Sequence, residues 1–297
     1  MPPKLNFTYY SGTDAYTDGA IEDELLDIVK SGSDYHKILK KDSRWPILYH
    51  LSPERRNLLE WFLFKKTGSL LEIGAGCGAL TQLFTERVAS VTSVELSKKR
   101  AEIIAARNRL AENLEIVVGN FCDMQFEVKF DYATLIGVLE YANVFMNSQS
   151  PCDNLLLKTR ESLKSGGTLI VAIENKFGIK YFAGAPDDHT RRVFEGIEGY
   201  PIRNGPETFS KDELSDLLIK NGFSDIEFYY PHPDYKLPRE VFNDRMLPGT
   251  NHNLLESDNF TGPRVRLFDE RRALLNIARS GKFDYFANSF LVFATCP

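Results

Sequence analysis

The run LLEIGAGCGALT at 70–81 constrains the fold of this chain more than any other stretch. Apolar residues lead into Glu72, glycines alternate at Gly74, Gly76 and Gly78, and a helical pattern follows. Alternating glycines remove side chains where a ligand must approach the backbone, and they allow a tight strand-to-helix turn. So tight a strand-to-helix turn is expected to aim free N–H groups at that ligand. Turns of this kind belong to open α/β sheets, whose ligands lie beyond the carboxyl ends of the strands.

The flanking pattern agrees. SLLEI at 69–73, SVTSVE at 90–95, LEIVVG at 114–119, DYATLIG at 131–137 and TLIVAI at 168–173 read as strands. Helical patterns fall between them, one from Gly78, one from Ser97 to about 111, and one over about 153–164. This alternation predicts a parallel sheet with helices on both faces. Before it, Ser52 as N-cap and Pro53 at the first position predict a helix over 52–66. Residues 1–50 are polar and tyrosine-rich, with one amphipathic stretch around 21–29. That segment cannot bury a core alone, so it should fold over the main domain, with Tyr9, Tyr10 and Tyr16 as part of a lid.

After 175 the pattern becomes irregular over 176–208. It resumes where Ser210 and Glu213 make a capping box and Gly222 closes the helix. DIEFYYP at 225–231 is a strand, 232–266 is loop-like, a helix is expected at 267–280, and NSFLVFAT at 288–295 is the last strand. The last two strands suit an antiparallel edge pair. The expected organisation is thus an N-terminal helical extension over 1–67, then a cofactor-binding domain over 68–297. Insertions at about 176–208 and 232–285 shape an acceptor site.

A net charge of −5 argues against a basic nucleic-acid footprint, so no nucleic-acid partner is expected. Cys77, Cys122, Cys152 and Cys296 form no C-x-x-C pair and no zinc-like spacing, so no metal is expected. The first residues lack the basic and apolar regions of a signal peptide, and no apolar run reaches the roughly 20 residues of a membrane span. A cytoplasmic location is expected.

Glu95 ends the second strand, 17 residues after Gly78, where a carboxylate can accept hydrogen bonds from two ribose hydroxyls. Gly74, Gly76 and Ala79 also satisfy the dinucleotide pattern G-x-G-x-x-G/A, which leaves an NAD(P)-dependent oxidoreductase as an alternative. Glu72, two residues before the first glycine, favours S-adenosylmethionine, because an acidic group there can orient the loop and face a cationic ligand. The spacing of Gly78 and the closing strand pair favour it too.

On these residues the chain resembles the class I SAM-dependent methyltransferases. EIGAGCG is similar to their E/D-x-G-x-G-x-G motif, and Glu95 matches their ribose-binding acid. GNFCDM at 119–124 resembles the segment after their third strand, with Asn120 in place of the usual Asp near the adenine amino group and Phe121 next. LIGVLEYA at 135–142 resembles their fourth-strand segment. The resemblance implies a Rossmann-like seven-stranded sheet of order 3-2-1-4-5-7-6. It also implies a cofactor site of Glu72, Gly74, Ala75, Gly76, Gly78, Glu95, Leu96, Asn120, Phe121, Gly137 and Tyr141.

Methyl transfer needs an acceptor about 3–3.5 Å from the methyl group and, for a hydroxyl, a proton acceptor. AIENKFGIKYFAGAPDDHT at 172–190 is the densest set of polar groups. His189 is the first candidate for a general base, Asp188 for the group that orients it, and Glu174 lies at the carboxyl end of the fifth strand. Asp187 and Asp188 are equally suited to capping a surface loop, and a metal site from Asp187, Asp188 and His189 stays open as an alternative. WPILYHLSPERRN at 45–57, IENKFGIKYFAGAPDDHT and PDYKLP at 233–238 resemble bacterial methyltransferases associated with surface-polysaccharide glycosyltransferases. That resemblance implies O-methylation of a saccharide or other small polar acceptor and a glycosyltransferase partner. A non-catalytic partner that kept the fold is the other alternative.

Overall fold

A computed structural model describes residues 2–14, 16–146, 148–201, 205–249, 251–258 and 264–297. Parts of both expected insertions, 202–204, 250 and 259–263, therefore lie outside the described residues. The chain divides into two compact units. One is Met1–Leu135 with Glu161–Leu169, and the other is Ile136–Arg160 with Ile170–Pro297.

The first unit opens with β1 (Lys4–Tyr9), a strand that the sequence pattern does not announce. Helices α1 (Ile21–Ser31), α2 (Tyr35–Leu39) and α3 (Trp45–Leu51) follow. In α1 the apolar residues fall on one stripe, with acids in the first turn, Lys30 in the last, and Gly32 closing in the left-handed region at φ 66°. Leu25, Leu26, Val29, Ile47 and Leu51 bury that stripe against Cys77 of the glycine loop and Ile103. The N-terminal extension thus covers the back of the loop, and Cys77 is a core residue.

The helix expected over 52–66 is instead a short 3-10 turn at Pro53–Leu58, with Ser52 capping through the N–H of Glu54 at 3.2 Å. The chain then straightens because Phe62 and Phe64, two residues apart, both pack edge-on against Tyr132, at 6.1 and 5.2 Å. Residues at that spacing share a face only in extended backbone.

β2 (Ser69–Ile73), α4 (Thr81–Arg87), β3 (Ser90–Glu95), α5 (Lys98–Arg107), β4 (Leu114–Gly119) and β5 (Phe130–Ile136) then alternate. Leu70, Leu71, Val91, Val94, Ile116 and Val118 are buried, as expected of parallel strands covered on both faces. β3 pairs parallel with β2 and β4, and β2 with β5. β1 pairs parallel with β4, Tyr9 opposite Gly119. Gly119 has φ 143°, and a Cβ there would stand 2.3 Å from the Tyr9 carbonyl oxygen. Only glycine lets β1 approach so closely.

The second unit contains α6 (Ala142–Phe145) and α7 (Pro151–Ser162) up to Arg160, and β6 (Leu163–Glu174) from Ile170 on, the stretch Glu161–Leu169 belonging to the first unit. Next come α8 (Ile179–Phe182), α9 (Lys211–Lys220) with its Ser210–Glu213 capping box, β7 (Ser224–His232) and β8 (Glu240–Asn243). α10 (Glu270–Arg279), α11 (Phe283–Phe286) and β9 (Ser289–Thr295) complete it. β7 pairs antiparallel with β9, but also with β8, so β7 is not the edge that the sequence predicts.

The nine described strands form one mixed sheet of order β1-β4-β3-β2-β5-β6-β9-β7-β8. The expected count of seven is corrected to nine, with β1 and β8 added at the two ends. Among the described residues no helix is long and apolar enough to cross a membrane.

Candidate functional site

In the first unit, Gly74, Gly76 and Gly78 all take left-handed angles, φ 70°, 57° and 73°. Their N–H groups are not free, which corrects the expectation from sequence. Gly74 and Ala75 donate to the Val94 carbonyl at 2.9 and 3.0 Å, and Gly78 to that of Ala75 at 3.0 Å. Gly76 donates to Glu95 Oε2 at 2.7 Å. What the loop keeps open is its glycine surface: a Cβ on Gly76 would meet no atom within 4 Å.

Glu95 is buried, and its other oxygen accepts the N–H of Ser97 at 2.9 Å. Burial raises its pKa, against the opposing pull of Arg100 and of these N–H groups. Each carboxylate oxygen retains a second lone pair. The loop and Glu95 therefore fit a ligand that lies against bare backbone and donates hydroxyl hydrogen bonds, as the ribose of S-adenosylmethionine would. Leu96, half-buried, follows Glu95. Asn120 starts the turn after β4 and accepts the Cys122 N–H at 3.0 Å, and Phe121 is buried beside Phe126.

Glu72 supports the loop from within. Its Oε2 accepts hydroxyl hydrogen bonds from Thr81 at 2.7 Å and Ser93 at 2.6 Å, tying β2 to α4 and β3. Burial pushes it up to about 7, against those two hydroxyls. The folded chain then keeps this proton up to about pH 7, while the unfolded chain releases it near 4.5. Glu72 costs the fold little below pH 4.5, and the cost grows between pH 4.5 and 7 and levels off above that at roughly 3 kcal/mol. Relative to wild type, Glu72→Gln should gain stability between pH 5 and 8 in thermal melts. A gap that does not change with pH would contradict this.

The N-terminal segment is clamped nearby. Asp14 accepts from the Ser97 hydroxyl at 3.0 Å and the Lys98 N–H at 2.7 Å, at the start of α5. Buried Arg100 pairs with Glu22 at 2.7 Å and Asp18 at 2.8 Å, and lies over the Tyr16 ring at 4.6 Å. His50 Nε2 is 3.3 Å from Asp18 Oδ2. Of the tyrosines expected in a lid, Tyr9 lies in β1 and Tyr10 bonds Asp14 at 3.1 Å.

In the second unit, Glu174 and His189 come together with Glu140, which sequence reasoning missed. His189 Nε2 is 3.6 Å from Glu174 Oε2, and His189 Nδ1 is 3.1 Å from the Tyr141 hydroxyl. Lys236 bonds Glu174 through Oε1. Asp188 turns elsewhere. It accepts from Lys180 and from Tyr181, both at 2.8 Å, so these contacts do not orient His189, as was expected of it. Asp187 caps the loop, accepting the N–H groups of His189 at 3.0 Å and Thr190 at 2.8 Å. Gly137, at φ 68°, sits beneath Tyr235, whose hydroxyl would be 2.9 Å from an added Cβ.

The charges in this cluster are strongly coupled to their surroundings. Burial and the Glu174 charge push Glu140 up to about 8. Burial works against charge on His189, but Glu174 outweighs it and raises the imidazole to about 9. Burial would raise Glu174, yet Lys236 and His189 hold it well below the usual carboxylate range. Glu174 therefore favours the imidazolium form of His189 over the neutral form that a general base uses. Glu140 lies in LEYA and Lys236 in PDYKLP, both visible in the sequence, but nothing in their spacing joins them to His189.

Residues 71–171 match the family model described as a methyltransferase domain. Over 82 residues, 28% of this chain and 27% of the relative, the chain is 28% identical to the ribosomal RNA small subunit methyltransferase A of Syntrophus aciditrophicus. It is 31% identical over 123 residues to a Methanopyrus kandleri protein named "probable ribosomal RNA small subunit methyltransferase A", covering 37% of this chain and 42% of that one. The chain thus spans less than half the length of these curated relatives. One chain of the Haloferax volcanii complex between the Trm112 methyltransferase activator and a methyltransferase superposes with a TM-score of 0.50. That match has 15% identity and covers 94% of this chain and 98% of that one, a likeness of fold. Residues 71–171 are a methyltransferase domain opened by the alternating-glycine loop, and S-adenosylmethionine is the cofactor of such a domain.

Proposed function

We propose that the chain transfers the methyl group of S-adenosylmethionine to a hydroxyl of a saccharide or another small polar acceptor. The observation that carries this reading is the left-handed Gly74–Gly76–Gly78 turn with Glu95 anchored behind it. Bound there, the cofactor supplies an activated methyl group for in-line displacement. Glu95 holds the ribose through its remaining lone pairs, and Gly74, Ala75, Gly76 and Gly78 give the nucleoside a bare surface. Glu72 keeps the turn in shape. Leu96, Asn120 and Phe121 border the adenine.

His189 in its neutral form takes the proton of the acceptor hydroxyl as the methyl group is transferred, Glu174 balances the imidazolium so formed, and Tyr141 orients the ring. Asp188 fixes Lys180 and Tyr181 beside them. The seven inner strands, β4-β3-β2-β5-β6-β9-β7, support reading β1 and β8 as edge additions to the methyltransferase sheet of order 3-2-1-4-5-7-6. A cytoplasmic enzyme working beside a glycosyltransferase belongs to the same reading. Its support is the likeness of the 45–57, 172–190 and 233–238 strings to polysaccharide-associated methyltransferases.

The test is a transfer assay with methyl-labelled S-adenosylmethionine against separate pools of glycans, small metabolites and RNA from the source cell. Label in the glycan or small-molecule pool is expected. Label confined to RNA, or none in any pool, would contradict the acceptor class. His189→Asn should lower turnover by about 100-fold, with cofactor affinity changed by less than about threefold. Undiminished turnover would remove His189 from the reaction.

A further inference from the structure

Glu140, Glu174 and His189 share a property that the methyl-transfer reading does not use. Glu140 Oε1 and Oε2, Glu174 Oε2 and His189 Nε2 are all buried, and none has a partner within hydrogen-bond distance among the described residues, Glu174 Oε2 and His189 Nε2 facing each other at 3.6 Å. Glu140 is 2% exposed, the Glu174 side chain 0% and the His189 side chain 7%. Buried carboxylate oxygens without a donor are costly, and native folds rarely leave several of them facing one another. One ligand atom from each of the three residues lies within 4.8 Å of the others.

We propose that Glu140, Glu174 and His189 bind one first-row divalent cation. The remaining contacts of Glu174 and His189 engage their other polar atoms. Lys236 holds Glu174 by Oε1, which leaves Oε2 for a cation. Tyr141 engages His189 at Nδ1, 3.1 Å away, and a proton on Nδ1 leaves the Nε2 lone pair as donor. A partner on the second ring nitrogen is the usual way in which a ligating histidine is oriented.

The charge fits as well. Lys180 bonds Asp188 and Asp234, and Lys236 bonds Glu174 and lies near the same two aspartates. Adding Glu140, two ammonium groups face four carboxylates, which leaves the balance that a divalent cation neutralises. Asp187 is occupied by the backbone of its own loop. A cation there replaces the protons that otherwise balance the cluster.

One imidazole with carboxylate oxygens and no thiolate is a donor set for Mn²⁺ or Zn²⁺. At about 2.1 Å from a tetrahedral ion two donors stand roughly 3.4 Å apart, so donors that now lie within 4.8 Å of one another close around the ion by side-chain rotation as it binds. The inference stands apart from the methyl-transfer reading, because it is read by metal binding alone.

The test uses the full chain dialysed against EDTA and titrated with MnCl₂, free Mn²⁺ being followed by its electron paramagnetic resonance signal. ZnCl₂ serves as competitor. A single site per chain is expected, weakened at least about tenfold in Glu140→Gln and in His189→Asn. Circular dichroism checks that both variants fold. Should either unfold, spin-echo modulation from an imidazole nitrogen on Mn²⁺ bound to wild type reads the same site. No bound Mn²⁺, equal binding in the folded variants (an adventitious ion only), or bound Mn²⁺ without imidazole modulation would each overturn the proposal.

Discussion

Glu95→Ala should weaken S-adenosylmethionine binding by at least about 100-fold, because hydrogen bonds to a charged group are worth roughly 1.5–3 kcal/mol each and two are lost to the ribose. The change also strips the acceptor from the Gly76 and Ser97 N–H groups, at 2.7 and 2.9 Å, so the turn itself loosens. Glu95→Gln separates these effects. It keeps the shape and one acceptor oxygen but turns an N–H₂ toward one of those two N–H donors, and an intermediate loss is expected. Calorimetric affinities of the three proteins check the series. An affinity within about threefold of wild type in Glu95→Ala would remove Glu95 from the ribose site.

Arg100→Leu should destabilise the first unit by about 3–5 kcal/mol, since removing one partner of a buried ion pair leaves the other uncompensated. Glu22 is 3% exposed at its side chain and Asp18 35%, so most of the cost falls on Glu22. Adding Glu22→Gln to Arg100→Leu should recover a large part of the loss. Without recovery, the damage would be lost packing against Tyr16 rather than an orphaned charge. Limited proteolysis adds a second readout. Asp14, Asp18 and Glu22 fasten the N-terminal segment to α5, so cleavage near residues 10–20 should accelerate in Arg100→Leu. Unchanged cleavage would show that β1 and the Leu25–Ile47–Cys77 cluster hold the segment without the clamp.

The parts of the fold that the sequence announces are those in which local pattern and tertiary packing agree. β2, β3 and β4 are apolar runs bounded by glycine, serine and asparagine, and the structure keeps their limits at 69–73, 90–95 and 114–119. β1 is illegible for the opposite reason. KLNFTY is polar and exposed at half its positions, and it is a strand because Gly119, more than a hundred residues away, lets its backbone come close. The 52–66 segment carries sound N-terminal helix signals, but Tyr132 recruits both Phe62 and Phe64 and that contact decides the backbone.

The same distinction separates the two sites. The glycine loop and Glu95 are one strand–turn–helix–strand unit, so their chemistry is written locally. The polar cluster draws Glu140, Glu174, His189 and Lys236 from the ends of β5 and β6 and from two later loops. Asp188 adjoins His189 in sequence yet turns to Lys180 and Tyr181, whereas Glu140 is distant in sequence and faces the imidazole's electrostatic field. Adjacency along a loop is a poor guide to which side chains meet.

The most direct test of the central claim is calorimetry of the wild-type chain with S-adenosylmethionine, S-adenosylhomocysteine and NADH in parallel. The loop at 74–78 and Glu95 predict one site for each of the first two ligands, with mutual competition, and no heat from NADH. Binding of NADH with none of either sulfur nucleoside at high micromolar concentration would contradict the account.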